Sequence, residues 1–255
     1  MNDIGGEVRL GSMLFTLVEP HRGHEVAYNR WYERDHFYAG CMVGPWLFAG
    51  RRFVATAPLK DLRFGTDAHR FGGIAAGSYV AVYWILDGHH DDHVDWALRQ
   101  VHWLHANGRM FAERDHIHTL MYRHAFTVAE ENSVPAELAL DHPFCAMTAT
   151  LVRPGGGVTA ESLGTYLHTR FHPELDVGFT PIPLPADAPV AQQGQEGLED
   201  CLLTLSFTTT DPATAHHERQ AAARLLHDDG VAEVLWSAPF IPTLPGTDTY
   251  TGDLW

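Results

Sequence analysis

Apolar and polar positions alternate and cluster along this chain in a way that marks out short strands and longer helices in turn. Met13-Leu14-Phe15-Thr16-Leu17-Val18 reads as a strand, broken by Glu19-Pro20-His21-Arg22-Gly23. A helix is predicted from about Glu25 to Met42, with Tyr28, Trp31, Tyr32, Ala39 and Cys41 at helical intervals, ended by Gly44-Pro45. Leu47 to Thr56 is a second strand, and the polar, glycine-bearing run from Ala57 to Gly77 reads as a long loop of the lid or binding type. Tyr79 to Leu86 is apolar on both faces, the mark of a central strand. Asp91 or Asp92 can cap a helix from about His93 to Ala106, stopped by Asn107-Gly108, and His116 to Val128 makes a fourth strand.

This β-α-β-β-α-β order then repeats after a polar connector. Phe144 to Val152 is a strand. A helix capped by Thr159 with Ser162 runs to about His172, and a proline-interrupted edge strand spans Gly178 to Leu184. Leu202 to Thr208, a helix from Pro212 to His227 and Val231 to Ser237 complete the second set. Aligning His172 with His36 carries Leu14 onto Thr150 in the matching strand. The expected fold class is therefore α+β, two tandem ferredoxin-like units over 1–130 and 144–238, with a connector at 131–143 and a tail at 239–255. Such a sheet has helices on one face only, so the other must be buried against a second sheet. Two copies satisfy each other as a pseudo-dimeric α/β barrel with helices outside. Further homodimerisation is open, and the tail is expected to brace such an interface.

Composition adds exclusions. In 255 residues, 17 Lys and Arg stand against 32 Asp and Glu, a formal charge of −15, which disfavours nucleic acid and anionic membranes as partners. No apolar run is long enough to span a bilayer, and Met1 to Glu7 lacks a signal-peptide pattern. Cys41, Cys145 and Cys201 lie far apart among apolar residues, which predicts buried free thiols and a reducing cytoplasm. Protonating all eighteen histidines would take −15 to +3, so charge should swing between neutral and mildly acidic pH.

Three constellations carry candidate chemistry. Trp31, Tyr32, Glu33 and His36 share one helix face, where His36 could move a proton beside a flat aromatic wall, or simply pack in the core. His116 and His118, in Glu113-Arg114-Asp115-His116-Ile117-His118, should point the same way from a strand. They could hold a metal with Glu113 or His36, donate to substrate oxygens, or be structural. His89-His90-Asp91-Asp92-His93 reads as a solvated helix cap rather than a cation site. Arg51 and Arg52 point to opposite faces of one strand, so one can enter the pocket to hold an anionic oxygen; Tyr83 and Trp84 alternate likewise and line the pocket or the core. No dinucleotide, P-loop, nucleophile-elbow or zinc-protease motif occurs.

The run Asn29-Arg30-Trp31-Tyr32-Glu33-Arg34-Asp35-His36, with Gly50-Arg51-Arg52-Phe53-Val54 and Tyr79 to Tyr83, resembles the dimeric α/β-barrel superfamily, whose members include antibiotic-biosynthesis monooxygenases. More narrowly, the duplicated layout and Asp35-His36-Phe37-Tyr38-Ala39-Gly40 are similar to ring-opening oxygenases of angucycline-type polyketide pathways. The resemblance implies an oxygenase acting on a polycyclic aromatic with O2 and reduced flavin (FADH2 or FMNH2) from a partner flavin reductase, with metal and haem disfavoured. Trp31, Tyr32, Arg51, Arg52, Tyr83 and Trp84 would bind substrate, and His36, His116 and His118 would shuttle protons. A cofactor-free cyclase or isomerase and a non-catalytic barrel for a hydrophobic ligand are the alternatives.

Overall fold

Each half of the chain forms a β-α-β-β-α-β unit, in a computed structural model that describes residues 7–67, 69–183 and 197–255. The first contains β1 (Leu10–Pro20), α1 (Glu25–Trp31) with a helical continuation to Met42, β2 (Leu47–Val54), the short α2 (Ala57–Lys60), β3 (Tyr79–Leu86), α3 (His90–Ala106) and β4 (Arg114–Ala129). The second contains β5 (Ala146–Pro154), α4 (Ala160–Phe171), β6 (Leu175–Ile182), β7 (Leu202–Thr208), α5 (Pro212–Asp228) and β8 (Ala232–Pro242). The expected end of β6, Leu184, lies outside the described residues, as do Met1 to Gly6.

Strand order is β4-β1-β3-β2 in one unit and β8-β5-β7-β6 in the other, and the two sheets close into one barrel. One seam is long, from Met121 opposite Ile182 to Ala129 opposite Leu175. The other is short, with Phe53 opposite Pro242 and Val54 opposite Ile241. Closure leaves no open sheet edge, the usual template for unwanted pairing. Strand alternation assigns the faces. Met13, Phe15, Leu17, Val80, Val82 and Trp84 point into the barrel core, whereas Val18, Tyr79, Ala81 and Tyr83 point outward under the helices. Both faces of β3 are buried, which is why its sequence shows no polar positions.

Several sequence expectations are corrected. The stretch 57–77 is no lid: Arg63 donates to the carbonyls of Ile74, Ala76 and Gly77, and Phe71 enters the barrel against His118 and Trp236. Neither Asp91 nor Asp92 caps α3. Its N-cap is His89, and both acids sit in the first turn, where they complement the helix dipole. His89 stacks on Trp46 at 3.6 Å, and His90 pairs with the Ser12 hydroxyl at 2.8 Å, so this histidine cluster is packed rather than solvated. Cys41 and Cys201 are buried, but Cys145 is exposed. Residues after β8 brace α1 of the same chain: Asn29 donates to the Thr247 carbonyl, Arg30 pairs with Asp248, and Trp255 donates to Glu25. By contrast, the Thr159–Ser162 capping box forms as expected. No helix among the described residues is long and apolar enough to cross a membrane.

Candidate active site

The helix that starts as α1 changes pitch at Tyr32. From Tyr32 to Met42 it is a π-helix, and at its end the Val43 N–H donates to the Tyr38 carbonyl five residues back. Such segments recur at functional sites because the widened turn re-aims side chains. Between this segment, α3 and the outer faces of β1 and β4 lies a cavity of roughly 80 Å³. Its walls are largely apolar, from Leu14, Val94, Leu98 and Met121. The polar groups facing it include Thr16, Tyr32, His36, His93, Arg114, His116 and Thr119.

His36 lies flat on Trp31, centroids 4.5 Å apart and planes 19° apart, and Phe111 stacks on Trp31 in turn. Gly40 makes this possible: a Cβ there would stand 2.8 Å from the His36 ring. Nδ1 of His36 is buried without a hydrogen-bond partner. Burial, with Arg114 and His116 nearby, pushes this imidazole down to about 3, so it is neutral at ordinary pH.

His116 is held more tightly. Arg114 donates to its Nε2 from 3.2 Å, and its Nδ1 lies 3.0 Å from the Thr119 hydroxyl, itself 2.8 Å from that of Thr16. Burial, then the Arg114 charge, lowers this imidazole to about 4. The Arg114 guanidinium also sits 4.8 Å over the Trp31 ring and donates to the Phe111 carbonyl. Cys41 reaches the cavity as a thiol pushed up to about 12 by burial.

The expected alignment of His116 with His118 fails. The β1–β4 register slips between Val18 opposite His116 and Leu17 opposite His118, a bulge at Ile117. One extra residue reverses the facing, so His118 points into the barrel, 2.7 Å from the Tyr122 hydroxyl. The two imidazoles therefore cannot share a metal, and among the described residues no group of metal-ligating side chains assembles. Glu33 likewise leaves the face it was expected to share with His36; it pairs with Arg52 at 3.3 Å and accepts from the Gly246 N–H.

Neither arginine of the Arg51-Arg52 pair lines the cavity. Arg51 donates to the carbonyls of Leu140 and His142, and Arg52 is buried among Tyr28, Tyr32 and Tyr79. Trp84 is core, donating to the Ala136 carbonyl at 3.0 Å, and the Tyr83 hydroxyl pairs with that of Tyr32. Of the predicted residues, the structure gathers Trp31, Tyr32, His36 and His116. The cation it adds is Arg114, legible in hindsight because residues 114 and 116 share a strand face. Thr16, Thr119 and Gly40 carried no signal of their own.

No family model matches the chain, and no curated protein matches it by sequence. Solved structures similar to it include a dye-decolorizing peroxidase from Bacteroides thetaiotaomicron VPI-5482, at 9% identity over 99% of this chain and 97% of that one, TM-score 0.52. A structure provisionally described as a chlorite dismutase matches at 11% identity over 97% and 100%, TM-score 0.51. Another, provisionally described as a DyP-type peroxidase from Shewanella oneidensis, matches at 8% over 96% and 95%, TM-score 0.50. At such identities the likeness establishes the dimeric ferredoxin-like barrel fold and no activity.

It nevertheless corrects the function expected from the sequence. The fold is shared with a dye-decolorizing peroxidase and with structures provisionally described as a chlorite dismutase and a DyP-type peroxidase, so it does not single out a flavin-dependent monooxygenase, an angucycline ring-opening oxygenase or a flavin reductase partner. The dismissal of haem falls for the same reason. The donor chemistry suits haem iron in part, since His36 has a free Nδ1. The room does not: a cavity of roughly 80 Å³ is smaller than the ~150 Å³ that takes up benzene, and neither a porphyrin, a flavin nor a polycyclic substrate fits it as folded.

Proposed function

We propose that the chain is an enzyme that binds a small, largely apolar molecule of a few heavy atoms in this cavity and exchanges a proton with it through His36. The observation that carries the reading is the buried Nδ1 of His36, left without a hydrogen-bond partner against apolar walls. An unmet buried nitrogen costs about 1–3 kcal/mol, a cost that a bound ligand would offset. As isolated, the imidazole is a weak base, because burial and the Arg114 cation both oppose its protonation. Negative charge developing on a ligand beside Arg114 would offset that cation and strengthen the base as the proton moves. Trp31 keeps the ring plane fixed, and the apolar walls keep water away from it.

Acetone in D2O tests it, with hydrogen–deuterium exchange at the carbons beside the carbonyl read by NMR. The wild-type protein should accelerate exchange, and His36→Ala should lower that acceleration by about 10²-fold or more while leaving ketone binding in place. Equal exchange in the two proteins would reduce the cavity to a passive binding pocket.

A further inference from the structure

The hydrogen bonds around His116 have a direction, and the direction ends in the cavity. Arg114 has only donors, so Nε2 of His116 must accept. A neutral imidazole then carries its proton on Nδ1 and donates it to the Thr119 hydroxyl at 3.0 Å. Thr119 shares a 2.8 Å hydrogen bond with the Thr16 hydroxyl in which either can donate, and in the order that continues the chain Thr119 gives its proton to Thr16. One of the two hydroxyl protons is left over in either order, and in this order it is that of Thr16, at the cavity wall. Both threonines are nearly fully buried, at 7% and 3% exposure, so bulk water does not take that proton.

We infer that this cavity recognises its ligand through an oxygen that only accepts, a ketone or enolate oxygen, with the Thr16 hydroxyl as the donor that reads it. The inference rests on the cavity being the ligand site proposed above, and it names the class of group bound there. The Arg114 guanidinium lines the same cavity and favours an oxygen that gains negative charge. A ligand presenting an amine or ammonium in that place would set its own donors against Thr16 and Arg114. Thr16 is then a specificity residue, and Arg114, His116 and Thr119 are positioning residues that act through it.

The test compares acetone with 2-methylpropene, which has the same shape and no acceptor, by ligand-observed NMR and by the infrared band of the bound carbonyl. Wild-type protein should prefer the ketone about tenfold and shift its carbonyl band to lower frequency. Thr16→Val, which keeps the side-chain shape, should lose both the preference and the shift; Thr16→Ser should restore them. Thr119→Val, which frees Thr16 from its register, should weaken the shift while a thermal melt confirms folding. An unchanged preference in Thr16→Val overturns the inference. Failure of both compounds to bind wild-type protein overturns it together with the cavity reading. Binding that follows Thr16 without any exchange dependent on His36 supports the inference and removes the catalytic proposal alone.

Discussion

Acidification from about pH 7.5 to about pH 5 is expected to remove at least about 4 kcal/mol of folding stability, that much through His36 and His116 alone. Burial, and then the Arg114 charge, lower these imidazoles to about 3 and about 4, against an unfolded value of about 6.5. The unfolded chain therefore binds protons below pH ~6.5 that the folded protein refuses. Stability is full above that value and falls as pH drops toward the folded values, by about 2 kcal/mol for each group at pH ~5. His90, His93, His124 and His216 are lowered by burial too and add loss of the same sign. Against a total stability of about 5–15 kcal/mol this is a large share. Urea denaturation across the pH range measures it. A midpoint that does not move would mean that these imidazoles are solvated and that the cavity is not as closed as described. The paired variant His36→Gln/His116→Gln should flatten the dependence.

Replacing Arg52 should cost about 3–5 kcal/mol, far more than an ordinary surface arginine. Its side chain is 4% exposed, donates to Asn29 at 2.9 Å and pairs with Glu33, which is itself 12% exposed. Its guanidinium also lies 4.5 Å over Tyr32 and 5.0 Å over Tyr79. Arg52→Met would leave the Glu33 carboxylate buried without its cation, and it would loosen Tyr32, a wall of the cavity. Adding Glu33→Gln should recover part of the loss, because the stranded charge goes with it. Chemical denaturation of the three proteins gives the coupling directly. A loss under about 1 kcal/mol for Arg52→Met would show that solvent already screens this pair.

What could be read in advance was local. The all-apolar Tyr79–Leu86 and the alternating Leu202–Thr208 match β3 and β7, and Thr159 with Ser162 marks the start of α4, because hydrophobic patterns and caps are decided by neighbours in sequence. The repeated β-α-β-β-α-β order was legible for the same reason, and with it the need for one sheet to cover the other. The reach of Arg51 and Arg52 was not. Strand alternation puts them on opposite faces, but whether a face meets a cavity, a loop carbonyl or a tyrosine cluster depends on what packs there.

By itself, then, the amino-acid sequence determined the elements, their order and a helix carrying Trp31, Tyr32 and His36, since these follow from periodicity and side-chain type. Only the tertiary structure decided which imidazoles meet. The bulge at Ile117 sends His118 into the barrel and leaves His116 with Arg114, and the π-turn parts Glu33 from His36. Both are one-residue adjustments with no signature in composition, because a shift of one residue in register or pitch changes nothing local and redirects every side chain beyond it.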